Sequence, residues 1–299
     1  MSIAKQITII GATGNIGSVV AKNLIQSGYE VKAIVRNLEK ANNLFRDEPH
    51  ITIEKADLKD VSALKSALKD TEYLYLNLST QSIKIDTPFA PDREGVANIL
   101  NAVDKKCIKQ IICISGLGAL DNVQKPARFK FIPNIIRKQG HKLIKESGIP
   151  YTILHCSWFI DSFIFYERNH TYAVMGDTQN PIYFTNCLDF SKHIANAIGN
   201  PEAFYKEFPI QGTEGIKHPE AARLFFSVYD KGTKVNIFPH RMISILAHFK
   251  NEMKILKHMS DYFSQSVETY LADEYGTYSV LGKPGMRLED YALRLRNER

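Results

Sequence analysis

ITIIGATGNIG, residues 7–17, is the stretch on which the fold turns. Ile7, Thr8, Ile9 and Ile10 are apolar or β-branched and read as a buried strand. Gly11, Gly14 and Gly17 then punctuate a turn into the stripe Ile16, Val19, Val20 and Leu24, which has helical spacing. Strand, glycine turn and helix is the order in which a dinucleotide-binding unit opens. A Cβ in the turn would hold the backbone away from a pyrophosphate, whose charge the free N–H groups at the helix start accept. A glycine pattern alone is weak evidence. Here strand and helix flank it, so a tight turn without a ligand is the poorer reading.

Beyond the helix, Gly28 suits a C-cap and residues 29–35, YEVKAIV, alternate as a second strand closing on Arg36 and Asn37. The residue at this place faces the adenosine ribose, and an NAD site puts an acid there, about 20 residues past the glycines. Arg36 instead suits a 2′-phosphate, so the expected cofactor is NADP, as NADPH. The alternative is a solvated arginine at a strand end. A third strand, Ile51 to Ala56, delivers Asp57 and Leu58 to the ligand-binding edge, where Asp57 would accept from the adenine amino group or simply cap. Asp60 is better placed to cap the helix that starts at Val61. A fourth strand, residues 72–78, brings Asn77, Leu78 and Ser79 beside the cofactor's second ribose.

The helix carrying Val96, Ile99, Leu100 and Val103 and the strand from Gln110 to Ile114 extend the alternation to Ser115, and a helix from Asn134 and a strand from Tyr151 follow. This pattern predicts an α/β fold, a Rossmann-type doubly wound parallel sheet, with a smaller, mostly helical C-terminal substrate lobe. Residues 1–155 form the NADP-binding part, completed by strands from 183–212, and residues 156–299 an interleaved lobe. Trp158 and Phe159, just past a strand end, are placed to line a substrate pocket with Ser79. Core packing is nearly as good a reading of either ring. Met242, Ile245, Leu246, Phe249, Met253, Leu256 and Phe263 form one stripe, expected to pack on the protein itself, with a cleft cover or membrane surface as alternatives.

The chain has 299 residues, 44% of them hydrophobic, enough for a sizeable core. No apolar run is long enough to span a bilayer, and no basic-then-apolar leader precedes the first strand, so a cytoplasmic protein without membrane contact is expected. Cys107, Cys113, Cys156 and Cys187 lack metal-ligand spacing and read as reduced core residues, and no metal is expected. The net charge of +6 favours anionic small molecules over nucleic acid. Between Asp121 and Glu146 stand Lys125, Arg128, Lys130, Arg137, Lys138, Lys142 and Lys145 with no acid among them. Except for Arg137, they read as a solvated face.

Taken together, these segments resemble the atypical short-chain dehydrogenase/reductases, and among them the NmrA-like group. GATGNIG at 11–17, VRN at 35–37, ADLKD at 56–60, SGIPYTIL at 147–154 with WFIDSF at 158–163, CLDFSKHIANAI at 187–198 and HPEAARLF at 218–225 carry the likeness along nearly the whole chain. It implies that Gly11, Thr13, Gly14, Asn15, Ile16 and Gly17 hold the cofactor with Arg36, Asp57, Leu58, Leu78, Ser79 and Arg137. Ser115 matches the family's active-site serine. Counting back from Ser147, Pro133 and Arg137 stand where catalytically typical relatives have Tyr-x-x-x-Lys. Arg137 can hydrogen-bond a ribose, but with a pKa above about 12 it is a poor proton donor. Ser115 and Arg137 are thus the candidate catalytic residues. The first functional expectation is NADPH-dependent reduction of a small apolar carbonyl, quinone or enone. The alternative is a non-catalytic NADP(H) sensor acting through a protein partner, with nucleic-acid binding ranked below both.

Overall fold

The protein is described by a computed structural model covering residues 5–121, 130–176, 180–249 and 251–299, without the side chains of 246, 248–249 and 251–253. The first half alternates strand and helix. Its elements are β1 (Gln6–Ile10), α1 (Asn15–Gln26), β2 (Glu30–Val35), α2 (Leu38–Leu44), β3 (Ile51–Lys55), α3 (Val61–Ala67), β4 (Tyr73–Leu76), α4 (Val96–Ala102), β5 (Gln110–Gly116), α5 (Ile132–Glu146) and β6 (Tyr151–Cys156). After β6 come α6 (Ser162–Tyr166), β7 (Thr171–Met175), β8 (Pro181–Ile182), α7 (Cys187–Ala197), β9 (Lys206–Ile210), β10 (Ile216–Lys217), α8 (His218–Tyr229) and β11 (Lys234–Phe238). The chain closes with α9 (His240–Phe249), α10 (Asn251–Gln265), α11 (Thr277–Leu281) and α12 (Leu288–Asn297).

Seven parallel strands make the central sheet, in the order β3-β2-β1-β4-β5-β6-β9. Because β1 alternates, Ile7 and Ile9 enter one core layer with Val20, Leu24 and Phe190, while Ile10 enters the opposite layer with Leu64, Leu76 and Ile99. Both faces are thus covered by helices, as a parallel sheet requires, and the expected doubly wound α/β architecture is present. From the segment 183–212, β9 is the strand that joins this sheet. The chain reverses its direction of winding between β1 and β4, where open α/β sheets part their loops and bind ligands.

The glycines at that point answer mainly to the protein's own packing. A Cβ on Gly11 (φ +91°) would lie 2.2 Å from the Asn77 carbonyl oxygen, and one on Gly17 2.2 Å from that of Gly11. Asn77, just past β4, takes a hydrogen bond on Oδ1 from Tyr75 (3.0 Å) and donates from Nδ2 to Gly11 O (3.4 Å). Gly14, at the N-cap of α1, is the one of the three that lines the cavity at this point, and a Cβ there would lie 3.3 Å from Gly11 O.

A third apolar cluster, with Phe163, Tyr172, Phe225, Phe226 and Tyr291, forms beside the sheet from α6, β7, α8 and α12. It is tied to the sheet by buried Asp161, which accepts from Tyr291 Oη (2.6 Å) and from the backbone N of Cys187 (2.9 Å). The single stripe expected across 242–263 resolves into two helices. His240 reaches Ser260 Oγ (3.1 Å) and Asp261 Oδ1 (3.0 Å), and residues twenty apart on one straight helix would be about 30 Å apart. The chain therefore folds back, leaving Met242 and Ile245 exposed. Leu246, Phe249 and Met253 fall outside the described side chains, and Lys125 and Arg128 outside the described residues. No helix among the described residues is long and apolar enough to cross a membrane.

Replacing Gly17 by alanine drives a methyl into a carbonyl that has no room to retreat. The expected loss is about 2–3 kcal/mol in urea unfolding, whereas Gly28→Ala, with nothing within 4 Å of its Cβ, disturbs only its positive φ.

Candidate functional site

At the switch point a cavity of about 500 Å³ runs from Gly14, Asn15 and Ile16 past Leu78 and Ser79 to Ser115, Arg137, Trp158 and Phe159. Strand ends and one helix start, far apart in sequence, are brought together here by the sheet order. Helix α1 begins on Gly14 without a side-chain cap and without an acid in its first turn, so its first N–H groups and the positive end of its dipole remain for an anion. Ser115 is buried, and among the described residues its Oγ has no partner. An uncapped helix start at one end and an orphaned hydroxyl at the other suit the phosphates and the reactive end of a dinucleotide.

The remaining expected residues are placed differently. Gly11, Thr13 and Gly17 shape the turn behind the cavity wall. Arg36 is exposed at the end of β2, and Asn37 beyond it caps α2 through Lys40 N (2.9 Å). Asp57 is exposed and accepts from Lys59 N (2.9 Å), while Asp60 caps α3 through Ala63 N (2.9 Å). Leu58 packs on the α3–α4 core, and its carbonyl accepts from Asn98 (2.8 Å). Arg36, Asp57 and Leu58 all lie outside the lining of the cavity, along the edge that leads away from it.

Arg137 sits where three cavities converge. It lines the first, a second of about 550 Å³ and a third of about 250 Å³, and Trp158 and Met259 line all three with it. Its guanidinium donates to Asn134 Oδ1 (2.9 Å) and lies 3.9 Å from Asp92 Oδ1. Helix α5 can bring it there because Gly140 packs so closely that a Cβ would be 1.8 Å from Asp92 O. Lys138, Lys142 and Lys145 pair with Asp121, Glu146 and Glu207, which leaves Arg137, among the described residues of its segment, as the one that lines the cavities.

The second cavity shares Ser79, Arg137, Trp158, Tyr166 and Met259 with the first and continues along Tyr172 and His218. Phe159 is not part of it: the ring is buried in the sheet core against Phe190 and touches only the first cavity. Burial depresses His218 to about 4, so the ring is neutral, and its Nε2 is hydrogen-bonded to the Tyr172 hydroxyl (3.0 Å). Burial also raises Tyr172 above the ordinary range, which makes it a weak acid. Sequence reasoning missed Tyr166, Tyr172, His218 and Met259. They come from four separate elements, and no spacing along the chain unites them.

Behind the ends of β5 and β6, His155 contacts Gly116 O through Nδ1 (3.3 Å) and Glu207 through Nε2 (2.9 Å). His141, His155 and Glu207 hold ligand-type atoms within 4.8 Å of one another. Both Glu207 oxygens are already engaged, by Lys145 (2.5 Å) and His155, so the group braces the sheet edge under Gly116.

A family model described as NAD(P)H-binding matches residues 11–182. The chain belongs to this NAD(P)H-binding family, as its resemblance to the NmrA-like short-chain dehydrogenase/reductases implies. It is 24% identical over 303 residues to the photosystem II assembly factor Ycf39 of Trieres chinensis, covering 95% of this chain and 91% of that protein. It is 29% identical over 161 residues to an uncharacterised chloroplastic protein of Arabidopsis thaliana, covering 50% of this chain and 58% of that protein's length. The NADPH-dependent quinone oxidoreductase of Escherichia coli, solved with NADPH, has the same fold at 22% identity, with a TM-score of 0.72 over 97% of this chain and 99% of that one.

Burial acts to raise the Glu207 carboxyl, but bonds from His155 and Lys145 outweigh it and hold Glu207 at about 2 against a usual 4.5. A depressed acid stabilises the fold above its unfolded value and loses that contribution as pH falls towards its folded one. The stability gap between wild type and Glu207→Gln is therefore expected to reach at most about 3 kcal/mol at neutral pH and to close between about pH 4.5 and 2, read by urea unfolding at each pH.

Proposed function

We propose that the chain is an NADPH-dependent oxidoreductase that reduces a small, largely apolar acceptor of quinone type, with the cofactor along the strand ends and the acceptor in the second cavity. Gly14, Asn15 and Ile16 would hold the pyrophosphate, Arg36 the 2′-phosphate, Asp57 and Leu58 the adenine edge, and Leu78, Ser79 and Ser115 the ribose and nicotinamide end. When bound, NADPH supplies a hydride. The observation that carries the reading is the junction of a dinucleotide-sized cleft with a second chamber at Arg137.

The choice of acceptor follows from what the chamber offers. Reduction of a simple carbonyl makes an alkoxide that needs a proton donor at once. Here Pro133 stands at the tyrosine position, Tyr172 is a weak acid committed to His218, and Ser79 and Tyr166 lie at the solvent-exposed mouth. A quinone that accepts a hydride becomes a delocalised, far less basic oxyanion. A fixed guanidinium stabilises such an anion, and water at the mouth protonates it. The name of the Escherichia coli structure agrees with this acceptor class. A chamber large enough for a substrate beside the cleft favours an enzyme over a sensor that needs only the cofactor site.

Arg137→Ala is expected to lower kcat/KM for quinone reduction about 100-fold, followed by NADPH oxidation. No turnover by the wild-type protein on a broad quinone panel, with NADPH bound, overturns the catalytic reading. Arg36→Ala is expected to weaken NADPH binding by about tenfold or more while NADH binding stays as it was, since a charge-assisted bond to the 2′-phosphate is what is lost. Equal losses for both cofactors would return Arg36 to a solvated strand end.

A further inference from the structure

The third cavity, of about 250 Å³, has an acid in its wall. Glu268, in the segment after α10, lines it together with Phe131, Trp158, Tyr262 and Phe263. Its Oε1 accepts from Gln211 Nε2 (2.8 Å) and Tyr183 N (3.3 Å), and its Oε2 from Ser157 Oγ (2.9 Å). These donors are all neutral. A carboxylate has about four acceptor positions, so one remains beyond these three donors, on a side chain that lines the cavity. The rings around it are closely set: Phe131 stacks on Tyr262 with centroids 4.5 Å apart, and Trp158 meets Phe263 edge-on at 4.8 Å. Aromatic faces attract a cation, and a carboxylate among them adds a full charge. Arg137, which lines the same cavity, is already engaged by Asn134 and Asp92. The wall of this space therefore carries one cationic and one anionic side chain.

We infer that this chamber is a subsite for the amine or ammonium end of an aromatic substrate, whose electron-accepting end lies at Arg137. The subsite rests on the reading of the cleft as a dinucleotide site that reduces what lies beside it. Burial raises Glu268, and its three donors work in the opposite direction, as a cationic guest also would. The carboxylate thereby selects among acceptors without taking part in hydride transfer.

Trp158 is the chain's single tryptophan, so its fluorescence reports a guest in any of the three cavities that it lines, and the Glu268→Gln comparison assigns the guest to this one. Benzylammonium and benzyl alcohol, alike in size and different in charge, are titrated into the wild-type protein. The cation is expected to bind about tenfold tighter or more, and Glu268→Gln to erase that preference. Equal affinities in wild type, or a preference that survives in Glu268→Gln, overturn the subsite. If Glu268→Gln melts well below wild type, the wild-type pair of probes decides alone. An NADPH titration on the same sample separates the two readings. Binding of NADPH with no cation preference removes the subsite and leaves the cofactor site standing; a cation preference without NADPH binding supports the subsite and removes the reductase.

Discussion

The close approach of β1, β4 and α1 is the constraint on which the rest of this structure depends. Gly11 and Gly17 let a strand end, its neighbour's tip and a helix start occupy a space that one extra methyl would overfill, and Asn77 ties the three together. The first turn of α1 is thereby aimed along the strand ends, uncapped, over the line where the sheet reverses its winding. The geometry that suits the turn for a pyrophosphate is thus a consequence of backbone packing. Of the three glycines, Gly14 is the one that lines the cavity, and a Cβ there would meet its nearest neighbour only at 3.3 Å.

Arg137 holds the corresponding place where the three cavities meet. Its position is decided by a helix, α5, that lies against the Pro91–Gly95 turn at Gly140 and carries the guanidinium across the end of β5. There it lines the same cavity as Ser115, whose hydroxyl has no partner among the described residues. A tyrosine and lysine at this edge would deliver a proton and hold a ribose. A guanidinium holds charge and keeps its protons, which suits acceptors whose reduced form is a stabilised anion. The later part of the chain completes the enclosure. The hairpin of α9 and α10 brings Met259 over the junction of the cavities, and the segment after it brings Glu268.

Much of this was legible along the chain, for a physical reason. A strand followed by a glycine turn and an amphipathic helix is a local pattern, since its apolar spacing, caps and turn chemistry involve neighbours in sequence. Asp60 as a cap, Ser79 and Ser115 at strand tips and Arg36 at the end of β2 could be read in the same way. Arg137 was reached differently, through the family resemblance, as the residue at the lysine position counted back from Ser147. From these residues the sequence by itself determined a doubly wound α/β protein that binds a nicotinamide dinucleotide.

What only the tertiary structure decided is which residues share a space. Tyr172 and His218 meet because β7 and α8 pack in the same apolar cluster, and no period in the sequence connects them. Phe159 and Trp158 are adjacent in sequence, yet one ring is buried against Phe190 and the other stands where the cavities meet. The stripe from Met242 to Phe263 has the spacing of one helix, but contacts of His240 twenty residues on fold it into two. Periodicity records which residues share a face of an isolated element, whereas the choice of neighbour for that face is made by long-range packing and buried charge.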